Sequence, residues 1–311
     1  MSLAVMFPGQ GSQAVGMGAD LVARFPEARA TFDEADAVLE APLSRLAFEG
    51  PLDELTATRN AQPAILVHSV AVLRVLGARL GAVGSAAGHS LGEFSAHVCA
   101  GTLSFADALR AVRLRGTLMY DAGLARPGSM AAVLGLDDDV IADVCRDVTI
   151  DGDVVVPANF NSAGQVVVSG DRTAVTRAIP ALQAAGAKRV IELQVSGAFH
   201  SPLMEPAQEG LARHLDAVTF HDPTVPVFAN VTAQPVTVGA EARVRLVEQL
   251  TAPVRWAEIV HAQVAHGADR FVEIGPGSVL TGLSKRNARG VPARALGTAD
   301  DIEAFLNEET A

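Results

Sequence analysis

The six residues Gly88-His89-Ser90-Leu91-Gly92-Glu93 follow a run of small residues, Gly84-Ser85-Ala86-Ala87, and lead into a helix-like segment. A serine framed by glycines as G-x-S-x-G suits a sharp strand-to-helix turn, where no room is left for Cβ atoms beside it. Such a turn pushes the hydroxyl outward and aims the free N–H groups of the next helix at the place where an oxyanion would form. Taken alone, the pattern also fits a serine in an ordinary glycine-rich loop. The strand before it and the helix after it favour Ser90 as a nucleophile, and they call for a fold in which strands feed helices across tight turns.

The rest of the chain agrees. Strand-like Leu3–Phe7 (LAVMF) runs into a GQGSQ loop, and helical patterns cover Pro26–Leu39, Gln62–Leu80 and Ser104–Tyr120, with Ser104 placed as an N-cap. Near the end, RFVEI (270–274) reads as a strand, GPG as a turn and SVLTGLSKR as a helix. This alternation predicts a mostly parallel α/β sheet. The middle differs. Strands at 129–136, 154–160, 165–170 and 188–195 are interleaved with helices at 137–148 and 172–186, the β-α-β-β-α-β order of a ferredoxin-like unit. With Ala125-Arg126-Pro127-Gly128 as the entry linker, the expected division is a large domain over 1–127 and 197–311 and an inserted subdomain over 128–196.

Composition narrows the function. With 35 acidic against 24 basic residues in 311, the net charge of −11 disfavours nucleic-acid binding. The most apolar stretch, 64–87, is broken by His68, Arg74 and Arg79, so no membrane span is expected, and the start lacks the basic residues of a signal peptide. A soluble, cytoplasmic protein is the expectation. Two separated cysteines, Cys99 and Cys145, form neither a disulfide framework nor a cysteine zinc site, so no metal is expected.

A nucleophilic serine needs a base. His89 adjoins Ser90 but projects away from so tight a turn, and His97, two turns into the next helix, suits a packing role. His200, in SGAFHSPLM after a strand, can face a serine at the end of another strand, or it can simply cap the helix after Pro202. His68, His214, His221, His261 and His266 read as structural. Arg115 lies at the edge of the apolar stripe Phe105, Ala108, Leu109, Val112, Gly116 and Met119. A guanidinium there needs an anion, either an internal acid such as Glu93 or a substrate carboxylate. The loop Pro8–Gln13 lacks the lysine of a P-loop and fits either a phosphate cradle or an oxyanion donor.

FPGQGSQ (7–13), GHSLGE (88–93), RLRG (113–116), NFNSAGQ (159–165), GAFHS (197–201) and EIGPGSVLTGL (273–283) stand in this order. In that order they resemble the malonyl-CoA:acyl carrier protein transacylases and the acyltransferase domains of polyketide synthases, across roughly residues 3–290. The resemblance implies an α/β-hydrolase-like catalytic domain with a ferredoxin-like insert. It makes Ser90 the acyl-forming nucleophile, His200 its base, Gln10 and the Leu91 N–H the oxyanion donors, Arg115 the clamp for the malonyl carboxylate, and Asn159 a polar positioning residue. It implies a serine–histidine dyad oriented by a main-chain carbonyl, supplied from PVRW (253–256), where many relatives have glutamine in place of Arg255. Phe199 before the histidine and Leu91 after the serine resemble the malonyl-selective combination rather than the YASH and GHSQG of methylmalonyl-selective relatives.

The implied chemistry is ping-pong transfer from malonyl-CoA through a seryl ester to the phosphopantetheine thiol of an acyl carrier protein, with no bound cofactor. A start at Met1 without flanking ketosynthase-like sequence leads to the expectation of a stand-alone, trans-acting enzyme. GAFHSP leans toward polyketide rather than fatty acid synthesis. An acidic carrier would need a basic patch, for which Arg113, Arg255, Lys188, Arg189, Lys285 and Arg286 are candidates. The rival readings are an acyl hydrolase clearing carriers, which tends to lose the clamp arginine, and transfer of a non-malonyl group between carriers. A non-catalytic docking protein would have lost Ser90 or His200.

Overall fold

The computed structural model describes residues 2–308. Its strands are β1 (Leu3–Phe7), β2 (Val83–Gly88), β3 (Gly128–Leu134), β4 (Val155–Ser162), β5 (Gln165–Asp171), β6 (Arg189–Glu192), β7 (Val227–Phe228), β8 (Pro235–Val236), β9 (Arg270–Ile274) and β10 (Ala293–Leu296). Six of them form one sheet in the order β10-β9-β1-β2-β7-β8, parallel throughout except for the edge strand β8. All five residues of β1 are buried, as a continuous apolar strand at the centre of a parallel sheet covered on both faces should be. The other four strands form an antiparallel sheet in the order β4-β5-β3-β6, with helices Asp138–Val148 and Arg172–Ala184 completing the ferredoxin-like order.

The helix Thr58–Leu76 crosses the core of the large sheet's layer, and Ile65, Leu66 and Val67 are fully buried. By length and composition the stretch to Leu80 would suffice to cross a bilayer, but 72% of its most apolar window is packed inside the protein. Its interruptions have local partners. Arg74 pairs with Glu34 and lies over the Phe105 ring, while His68, wholly buried, is pushed down by desolvation to about 4 and stays neutral. Pro63 has no N–H for the Arg59 carbonyl one turn back, and that carbonyl accepts instead from Arg113 Nη1 at 2.7 Å.

The helix starting at Phe105 is capped by Ser104, whose hydroxyl accepts from the Asp107 N–H, and it runs past the expected Tyr120 to Ala125. Strands β7, β8 and β10 escape the sequence reading, because two to four residues give too few alternations to register. The expected strand 188–195 ends at Glu192. One further bond, from the Leu193 N–H to the Met130 carbonyl, holds the chain as it leaves the sheet.

Candidate active site

The turn at Ser90 is built by exclusion. A Cβ on Gly88 would lie 1.9 Å from the Gly92 carbonyl carbon, and one on Gly92 would lie 2.1 Å from the Phe7 oxygen. With both glycines in place, the end of β2 packs directly on the helix Gly92–Cys99 and on β1. Ser90 itself has φ 52°, the left-handed region that a non-glycine residue enters at a cost of order 1–3 kcal/mol. The Ser90 N–H donates to Asn230 Oδ1 at 2.7 Å, and the Ser90 carbonyl accepts from Gln249 Nε2 and from the Glu93 N–H, each at 3.0 Å.

His200, also at positive φ (57°), brings Nε2 to 2.7 Å from Ser90 Oγ. Its Nδ1 is 2.8 Å from the main-chain oxygen of Gln249. A carbonyl only accepts, so Nδ1 carries the proton and Nε2 offers its lone pair to the serine hydroxyl. Burial, helped by the nearby charge of Arg115, lowers the imidazole to about 3 and keeps it neutral. The orienting carbonyl therefore comes from the end of the helix Gly239–Glu248, not from the expected PVRW segment. Residues 253–256 do other work: the Val254 N–H and carbonyl bond to the β4 backbone at Ala158 and Phe160, and the Arg255 side chain pairs with Glu258.

Arg115 is fully buried. Nη1 donates to Gln62 Oε1 at 2.7 Å, while Nη2 donates to Gln249 Oε1 at 2.9 Å and to Ser90 Oγ at 3.1 Å. Desolvation lowers it to about 10, opposed by the charge of Glu93, so it remains a cation. The internal-acid alternative is met only indirectly, since Gln249 stands between Glu93 and Arg115. The guanidinium is held by neutral oxygens beside the serine, and Nε has no partner among the described residues.

These groups open onto a cavity of about 300 Å³ between the two sheets. The large sheet's layer contributes Gln10, Ser90, Leu91 and Arg115; β3, β4 and the segment after β6 contribute Met130, Asn159 and Leu193–Val195; Phe199 and His200 complete the wall. Gln10 Nε2 gives one of its two N–H donors to Thr58 Oγ1 at 3.1 Å, which leaves the second amide hydrogen and the main-chain N–H as donors Gln10 could offer. The Leu91 N–H sits at the N-cap of the following helix, where N–H groups lack intrahelical acceptors. Asn159 is 6% exposed in the wall and makes no bond to His200, whose ring nitrogens go to Ser90 and Gln249. The histidine held by this motif is His89, through Asn161 Oδ1 at 2.9 Å. His97 is buried in the following helix and kept neutral, at about 3, by desolvation. Three buried amides, Gln62, Asn230 and Gln249, were missed by sequence reasoning. Only Gln62 left a signal, a lone amide in the apolar run Ala61–Val67.

A serine on a strained strand-to-helix turn, with an oriented neutral histidine at its oxygen, defines an acyl-transfer centre of the serine–histidine type. The profile of the acyl transferase domain family matches residues 5–306, and the chain belongs to that family. It is 47% identical over 301 residues to the malonyl CoA-acyl carrier protein transacylase of Bacillus subtilis (strain 168), covering 97% of this chain and 95% of that one. It is 48% identical over 304 residues to the protein of the same name from Escherichia coli (strain K12), covering 97% and 98%. Among solved structures, the acyl carrier protein S-malonyltransferase of Vibrio cholerae superposes with a TM-score of 0.94 at 44% identity, over 98% of this chain and 99% of that one. A malonyl-transacylase solved with its type II PKS acyl-carrier protein also gives 0.94 at 44% identity, over 99% and 100%.

Proposed function

We propose that this protein moves a malonyl group from malonyl-CoA to the phosphopantetheine thiol of an acyl carrier protein, by way of an ester on Ser90. Ser90 Oγ attacks the thioester carbon as His200 Nε2 takes its proton. The oxyanion is met by the main-chain N–H groups of Gln10 and Leu91. His200 then returns the proton to the departing CoA sulfur. In the second half the carrier's thiol gives its proton to His200 and attacks the ester, and Ser90 recovers its hydrogen. No prosthetic group takes part. Asn159 and Phe199 shape the acyl pocket, with Phe199 and Leu91 limiting the α-carbon to an unsubstituted methylene. The boundaries 1–127 with 197–311 and 128–196 put the pocket between catalytic domain and insert, and the reaction belongs in the cytoplasm.

The observation that carries this reading is the buried Arg115 guanidinium at 3.1 Å from the serine oxygen, in the wall of a cavity of about 300 Å³. A malonyl carboxylate would pair with it bidentately and take it off the serine hydroxyl. It would also balance the charge that helps depress His200, so the base strengthens when the right acyl group is in place. Acetyl brings no such charge. For the carrier, Lys188, Arg189 and Lys285 are exposed, Arg286 is exposed but donates to Gln165 Oε1 at 2.8 Å, and Arg113 and Arg255 are tied to Asn60 and Glu258.

Intact-mass measurement after mixing with malonyl-, methylmalonyl- or acetyl-CoA, followed by holo carrier protein, tests the reading. A malonyl adduct that is absent in Ser90→Ala and moves to the carrier is the expected result. Free malonate released in the presence of carrier would make the protein a hydrolase, and no adduct from any CoA ester would overturn the reading. Arg115→Ala is expected to cut malonyl loading by roughly 100-fold while lowering acetyl loading far less.

A further inference from the structure

Glu93 stands three residues beyond Ser90, in the first turn of the helix Gly92–Cys99, with no exposure to solvent. Its Oε2 accepts from Gln249 Nε2 at 2.6 Å and from the Asn230 N–H at 3.1 Å, and Oε1 has no partner among the described residues. Both neighbours are bonded onward to the Ser90 turn. Asn230 Oδ1 accepts from the Ser90 N–H, and Asn230 Nδ2 donates to the Gly88 carbonyl at 2.7 Å. Gln249 Nε2 donates to the Ser90 carbonyl, Gln249 Oε1 accepts from Arg115, and the Gln249 main-chain carbonyl holds His200.

The chemistry of these partners fixes orientation. An ionised carboxylate only accepts and a guanidinium only donates, so the Gln249 amide between them has one permitted arrangement, nitrogen toward Glu93 and oxygen toward Arg115. The Ser90 main chain, in a conformation it would not adopt freely, is thus gripped at its N–H and its C=O by two amides that lean on the same anion.

We infer that Glu93 is a positioning residue for acyl transfer, acting through Gln249 and Asn230 to hold the Ser90 turn and the Arg115 guanidinium in register with His200. The inference rests on the acyl-transfer reading of the site. It carries a pH signature. Burial pushes the Glu93 carboxyl up to about 7, against the hydrogen bonds of Gln249 and Asn230 and the charge of Arg115. Of the groups around it, Arg115 on the helix Phe105–Ala125 stays charged, Gln249 and Asn230 are neutral amides, and burial lowers His89, His97 and His200. Glu93 is therefore the member of this cluster that changes charge near neutral pH. Once protonated it no longer offers a charged acceptor to Gln249 Nε2 and the Asn230 N–H, so the hold of both amides on the Ser90 turn weakens and Arg115 loses its balancing anion. Acylation of Ser90 should then slow as the pH drops below about 7, far above the point where His200 itself takes a proton, about 3.

The test is single-turnover acylation by malonyl-CoA, read by intact mass across this pH range, in the wild-type protein and in Glu93→Gln. The variant keeps the size and an acceptor oxygen but cannot ionise. It is expected to acylate roughly tenfold more slowly above pH 7 and to lack the acid limb of the wild type. A wild-type rate in the variant, or an acid limb that persists in it, overturns the inference. If thermal melting shows that Glu93→Gln does not fold, Gln249→Met serves, because it keeps the main-chain carbonyl for His200 while cutting Glu93 off from Arg115. A limb that shrinks or disappears in that variant supports the inference, and one unchanged in size and midpoint overturns it. If the wild-type protein takes no acyl group from malonyl-CoA, the acyl-transfer reading fails separately. The same pH comparison is then made with a fluorophosphonate that labels the activated serine, with the same outcomes deciding.

Discussion

Around Ser90 three main-chain segments meet with no side chain between them, and this follows from two glycines. The contacts a methyl group would make at Gly88 or Gly92 are with carbonyl carbon and oxygen of the backbone, which no rotamer change can relieve. Gly88→Ala is accordingly expected to lower folding stability by roughly 3 kcal/mol or more, measured by chemical denaturation. This much was legible in the sequence, because G-x-S-x-G is a statement about space. The acceptor behind His200 was not. A main-chain carbonyl leaves no mark on residue identity, so the resemblance pointed to PVRW while the fold delivered Gln249. Gln249 in turn looked like any polar residue near a helix end.

The helix Phe105–Ala125 carries Arg115 into the core because Gly116, next in sequence, lets it close on the helix Thr58–Leu76. A Cβ at Gly116 would come within 2.7 Å of the Thr58 oxygen. That approach puts Gln62 within reach of Arg115 and Thr58 within reach of Gln10. Gly116→Ala should push the two helices apart by a few tenths of an ångström and misplace the guanidinium. Malonyl loading is expected to fall at least about tenfold, with a smaller loss for acetyl, as read by adduct mass. Helical periodicity had put Arg115 at the edge of an apolar stripe, and the structure buries it completely. Periodicity carries no information about what faces a residue across an interface, so the neutral oxygens that hold the guanidinium came only from the fold.

Across the whole molecule, buried ionisable groups set opposite slopes of stability against pH. His68, His97 and His200 are lowered to about 4, 3 and 3, so below pH 6.5 the unfolded chain binds protons that the folded chain refuses. Each histidine then removes about 1.4 kcal/mol per pH unit as the pH falls. Glu93, raised to about 7 from 4.5, works the other way, because between those values the folded chain holds the extra proton. Among these four groups the histidines outweigh Glu93, a net loss of about 2 kcal/mol between pH 6.5 and 5.5, observable as a shift in denaturation midpoint between those two values. His89 is shifted in the same direction as the other histidines, and Glu273 and Asp138 in that of Glu93. His97→Leu should reduce that loss by about 1 kcal/mol over the same interval. At this scale the β-α-β-β-α-β succession of the smaller unit and strands β1, β2 and β9 of the larger were readable in the sequence, while β7, β8, β10 and the order of the larger sheet were not. How the smaller sheet docks on the larger was not, since main-chain bonds at Val254 and single side-chain contacts such as His89 to Asn161 leave no periodic mark in the sequence.

The docking includes a pair of hydrogen bonds, Phe160 N–H to the Val254 carbonyl at 2.9 Å and Val254 N–H to the Ala158 carbonyl at 2.8 Å, which bridge β4 to the larger domain beside Asn159. A jaw fastened in this way at its root cannot swing wide to admit a substrate. The two amides should exchange with deuterated solvent at one common rate, set by opening of the joint as a unit, and acyl-CoA should leave that rate unchanged or slow it. The segment after β6, whose Leu193, Gln194 and Val195 also line the cavity, is tied down as well, by the Leu193 N–H to the Met130 carbonyl and by Ser196 Oγ at 3.0 Å from Thr58 Oγ1. The width of the catalytic cleft is thus set by the joint at Val254, where the chain's own backbone closes it.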